Sequence, residues 1–149
     1  MDIENSGPFL AAAFFCDKVL EEKDGTLSAI RMVNRITHTI SAPDAPETMP
    51  SIIINAFAVL SFKSGKARGK YTLKLLPTSP SGKKMPEFSG PVLFEGEDQG
   101  VNVVLNLAIC MEEEGLYWFD VMLNEQLITR MPLRGVYQRN RTEKATAQS

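Results

Sequence analysis

The sequence predicts an all-β fold, an antiparallel two-sheet β-sandwich of about eight strands. Three observations predict it. Apolar and polar residues alternate with period two over residues 36–40, 71–76 and 116–123. Gly, Pro, Asn and Asp punctuate the chain at short intervals, as turns require. The closing stretch 115–137, GLYWFDVMLNEQLITRMPLRGVY, reads as a β-hairpin whose apolar face the other strands need. The other architectures compatible with the pattern are an open barrel and an α+β variant with residues 9–22 helical.

Residues 1–7 are polar and read as a loose N-terminus. Residues 9–20 are apolar on both faces, as in a doubly covered strand. Three alanines and Glu21, Glu22 would also suit a helix, but the turn Lys23-Asp24-Gly25 and the strand-like segment after it favour the strand. Residues 26–33 form a second strand region, extending through 36–40, where Ile36, His38 and Ile40 alternate with Thr37 and Thr39. Three prolines make 41–50 a loop. Residues 51–62 form a long apolar strand, 63–69 a basic turn with two glycines, and 70–76 the return. A polar loop covers 77–86. Residues 88–94 form a short strand holding Pro91, 95–100 a turn, and 101–110 another apolar strand.

In the closing hairpin, Tyr117, Phe119, Val121 and Leu123 share one face and should meet the core. Leu116, Trp118, Asp120 and Met122 share the other, half-covered face. Asn124, Glu125 and Gln126 make the turn, and the return strand starts at Leu127. Proline cannot donate to a ladder, so Pro91 and Pro132 should mark edges or bulges. Residues 8–138 thus read as one sandwich domain, and 139–149, nearly devoid of apolar residues, as a disordered tail.

A chain of 149 residues can bury a sizeable core, and 44% hydrophobic content argues against wholesale disorder. Cys16 and Cys110 lie in apolar runs and read as two buried, reduced thiols, with a disulfide between them as the alternative. The segment FLAAAFFC resembles a short signal core. However, Asp2 and Glu4 precede it without any Lys or Arg, and it is too short to span a bilayer. The expected location is the cytoplasm, with no membrane contact.

No catalytic, cofactor-binding or metal-ligating set can be assembled. The segment SGKARGK at 64–70 has the wrong glycine spacing for a phosphate-binding loop, and Tyr71 stands where Ser or Thr should follow Lys70. It reads as a hairpin turn. His38, the single histidine, sits in a strand pattern and reads as structural, which leaves Cys16, Cys110 and every serine without a base. Glu112, Glu113 and Glu114 read as a solvated turn.

Charge layout is the most informative feature. From residue 48 to 86 there are seven basic residues and no acid, and from 87 to 129 nine acids and no base, so the net charge of −2 conceals a segregation. Lys63, Lys66, Arg68, Lys70, Lys83 and Lys84 are therefore the candidate binding residues. They could meet a second copy of the chain, another protein, or nucleic acid. Nucleic acid is the weakest case, since the nearby aromatics Phe62 and Tyr71 should face the sheet. Dispersed solubilising charge is the plain alternative. The functional reading is a non-enzymatic binding or protein-interaction module acting through charged loops and sheet edges. The rival is a small-ligand protein or enzyme with a pocket between sheets near His38, Tyr117 or Trp118.

The N-terminal segment FLAAAFFCDKVLEEKDGTLSAIRMVNRI, the Gly65/Gly69 basic stretch and the Gly-aromatic hairpin resemble a family of small bacterial proteins known as a domain of unknown function. The likeness spans about residues 8–138. It departs from the family's pattern in the last turn, where Glu125 replaces the usual glycine. The resemblance implies a sandwich-like β domain in a bacterial cytoplasm and carries over no catalytic residues.

Overall fold

A computed structural model describes residues 6–141. These residues form seven strands and no helix: β1 (Phe9–Glu21), β2 (Leu27–Val33), β3 (Arg35–Ser41), β4 (Ile52–Thr78), β5 (Phe88–Met111), β6 (Gly115–Leu123) and β7 (Gln126–Asn140). Residues 9–21 are strand, and β1 pairs antiparallel with both β2 and β4.

The fold is an all-β sandwich built on one folded ribbon. β4 and β5 pair along nearly their whole lengths. The first half of β4 also pairs with β1, and its second half with β6. The ribbon bends between these halves, so the layer β2-β1-β4-β5 lies against the layer β5-β4-β6-β7-β3. The rings of Phe15 on β1 and Phe119 on β6 meet edge-on with centroids 4.9 Å apart, across the interior. Leu60, Phe62, Leu73, Leu75, Phe94 and Leu133 complete the core between the layers. On the opposite side the chain crosses layers through Asn34 alone, passing from β2 to β3.

The expected turn at 63–69 does not reverse the chain. Gly65 and Gly69 both have positive φ, and the ladder shifts register on either side of Gly65. These glycines bend a continuous strand instead of ending it. Facing them, residues 95–100 bend with the ribbon and stay within β5. Four expected strands thereby fuse into two, while the second strand region divides at Asn34, which turns about eight strands into seven. A further departure from the expected pattern is β3 against β7, which is parallel.

The hairpin stands as read. Tyr117, Phe119, Val121 and Leu123 are all buried. The turn is tighter than expected, with Asn124 and Glu125 alone at positive φ and Gln126 already in β7. Pro91 lies on β5, whose single partner strand is β4. Pro132 precedes the start of the β3 ladder at Arg134, so β7 has one partner there. Two further expectations change. Cys16 is buried, where burial pushes its thiol up, but Cys110 is exposed, because it points from the outer face of β5. Arg139 and Asn140, assigned to the tail, pair with Ile40 and Ser41; residues 142–149 lie outside the described residues, as do residues 1–5.

Candidate functional site

The two charge blocks meet within the chain. Antiparallel pairing sets Gly65 opposite Glu97, Arg68 opposite Glu95 and Lys63 opposite Gly100. Arg68 donates to the Glu95 carbonyl at 2.9 Å, and its guanidinium lies over Gly96. Lys63 extends across Gly100 in the same way. These basic side chains thus lie over glycines of the neighbouring strand. The Lys66 backbone N–H donates to the Ser6 carbonyl while its side chain is exposed, and Lys70 is exposed opposite Leu93.

Lys83 and Lys84 sit elsewhere. They belong to the β4–β5 connection, where Lys84 bridges Thr78 and Lys83 lies 3.5 Å from Glu112. Thr78 lies eight residue steps along the strand from Lys70, which is about 26 Å of extended chain. The six candidate basic residues therefore form two sets. Phe62 and Tyr71 both pack their rings edge-on against Phe94, so neither is a free stacking platform.

The pocket residues named from sequence do not converge. Tyr117 is buried, and its hydroxyl donates to the Glu113 carbonyl at 2.7 Å, which anchors the β5–β6 turn. Trp118 lies on the outer face beneath Arg130, 4.7 Å from its ring, and Arg130 also pairs with Asp120. His38 is on β3, 6.0 Å from the Tyr137 ring, with its Nδ1 buried and unpaired. An apolar opening of about 220 Å³ does lie between the layers, lined by Leu75, Met85, Phe88, Leu107, Ile109 and Phe119. Glu87 and Asn106 also line it, and its volume is below the 300–1,000 Å³ typical of ligand pockets, whereas a neighbouring opening of about 650 Å³ lies among Leu76, Thr78, Lys84, Glu87 and Asp120. Among the described residues no three His, Cys, Asp or Glu side chains gather as metal ligands.

The feature that stands out is the outer edge of β5. This strand pairs with β4 alone over its whole length. Its first half is defended as exposed edges usually are. Pro91 removes a donor, Glu97 sits at φ 56°, and Glu95 and Asp98 add charge. Its second half, residues 101–111, has no charge, no proline and no shift in its ladder. Asn102, Asn106, Ala108 and Cys110 are exposed there, and Val101, Val103, Val104 and Leu107 are half-buried. Among the described residues, none outside β4 pairs with this segment. Sequence reading found the strand but not its place, since an uncharged apolar run suits a central strand equally well.

An all-β sandwich with a long, partly undefended edge is the class that these features define. The chain belongs to a family of unknown function, DUF6941, whose sequence profile matches residues 11–135. Among solved structures, it is similar to an immunoglobulin-like protein from Pseudomonas aeruginosa, with 14% identity and a TM-score of 0.44, over 88% of this chain and 98% of that one. No curated protein matches the chain. Among the described residues no helix is long and apolar enough to cross a membrane.

Proposed function

We propose that the chain is a non-enzymatic interaction module of the bacterial cytoplasm that binds an extended protein segment by strand addition to the edge of β5. The observation that carries the reading is the contrast within one strand. Residues 88–100 hold a proline, a bulge and acids, whereas 101–111 present unpaired backbone groups with no such guard. Backbone pairing supplies affinity in this mode, and alternate side chains supply specificity. Lys63 borders one end of the segment, opposite Gly100, with Lys66 and Arg68 following along the bend, and Lys83 lies near the other end, beside Glu112, where these cations steer an acidic flank of the partner.

The test is peptide display panned on the immobilised protein. Recovered peptides should be extended and apolar at alternate positions. Their binding should be lost in Asn106→Lys and kept in Ser28→Lys, a control on the far strand β2. Reversing Lys63, Lys66 and Arg68 to Glu should weaken capture of acid-flanked peptides. Peptides that bind Asn106→Lys as well as the natural chain would sink the reading.

A further inference from the structure

We infer that the undefended half of β5 pairs with the same segment of a second copy, giving an antiparallel homodimer with its two-fold axis at Asn106. This rests on the edge reading above and names its occupant.

The segment suits itself. Two copies running antiparallel about Asn106 place the two Asn106 side chains together, where each amide can donate to and accept from the other. Leu105 then faces Leu107, Val104 faces Ala108, Val103 faces Ile109 and Val101 faces Met111, so apolar residues meet apolar residues at these positions, while Asn102 faces Cys110. Opposed residues in an antiparallel ladder point to the same side, so the inner and outer faces of the β2-β1-β4-β5 layer continue into the second copy. No charge lies within residues 101–111 to oppose the pairing.

Charge complementarity sets the register. Gly100 lies six residues before Asn106 and Glu112 six residues after it. The two-fold therefore puts Gly100 opposite Glu112 of the second copy. Gly100 has no side chain, and Lys63 already lies across it, its Nζ 3.4 Å from where a Cβ would stand. Lys63 thus reaches the rim where that carboxylate arrives, and symmetry makes the contact twice. Without Lys63, Glu112 and its acidic neighbours would meet Glu97 and Asp98 of the other copy, which would repel. Among the described residues the Glu112 carboxylate pairs only with Lys83, at an exposed 3.5 Å, and Lys63 lies at the ribbon's bend, so the two do not pair within one chain there.

Sedimentation equilibrium on the full chain tests this. The natural protein should show a reversible dimer. Asn106→Lys, which sets two lysines face to face on the axis, should raise the dimer dissociation constant about a hundredfold. Its far-ultraviolet circular dichroism should match the natural chain, showing that the fold is intact. Lys63→Glu and Glu112→Lys should each weaken the dimer about tenfold, and the double swap should restore it. A monomeric natural protein overturns the inference, as does a dimer that survives Asn106→Lys or a swap without rescue. A monomer that still captures apolar peptides at the edge overturns self-pairing alone, whereas a chain that does neither overturns both readings.

Discussion

Glu125 occupies a position built for glycine. The two-residue turn between β6 and β7 has positive φ at both Asn124 and Glu125, the pattern of a type I′ hairpin. Asparagine tolerates this geometry, and its Oδ1 and N–H both bond to Thr72, which ties the hairpin tip to β4. Glutamate tolerates it poorly, at a cost of roughly 1 kcal/mol. Its return is an ion pair with Lys74 at 2.8 Å, and this raises the lysine's pKa. Because Glu125 is well exposed, such a pair contributes little. Glu125→Gly should therefore stabilise the protein by roughly 0.5–1 kcal/mol, seen as a higher urea midpoint with an unchanged slope. A lower midpoint would mean that the ion pair outweighs the backbone strain.

The decisive element is the bend in the β4–β5 ribbon, and Ser64 is its fastener. It is fully buried between two glycine-rich stretches. Its hydroxyl donates to the Gln99 carbonyl at 2.9 Å and accepts from the Glu95 N–H at 3.3 Å. One hydroxyl thus serves two backbone groups of β5 within the bend. Ser64→Ala removes that service without changing the packing volume much. The expected loss is about 1–3 kcal/mol in equilibrium denaturation. An unchanged midpoint would show that the bend holds itself. The two glycines and the serine are visible in the sequence. They read there as a turn, because positive φ, small size and polarity mark turns and bulges alike.

At the scale of the molecule, stability rests on the contact between layers. Phe119 is buried, touches Phe15 across the interior and borders the apolar opening beside β5. Phe119→Ala should cost about 3–5 kcal/mol, a large share of the 5–15 kcal/mol typical of a domain, and thermal unfolding would report it as a sharp fall in Tm. A small loss would mean that the two layers do not depend on this contact. The charge segregation also resolves at this scale. The basic and acidic blocks follow one another in sequence and pair as adjacent strands, and they meet again where Lys74 pairs Glu125 and Lys83 approaches Glu112.

The sequence by itself determined the all-β class, the hairpin and its buried face, and the positions of Pro91 and Pro132 beside unpaired edges. Side-chain alternation and the missing proline N–H are local properties, so they can be read without knowing any partner. Only the tertiary structure decided that residues 63–69 and 95–100 bend instead of turning, that β3 lies parallel to β7, and that Cys110 faces outward. It alone also decided that residues 101–111 lie at an edge. Each of these depends on which strand lies alongside, and pairing between distant segments leaves no mark in the local pattern of either one.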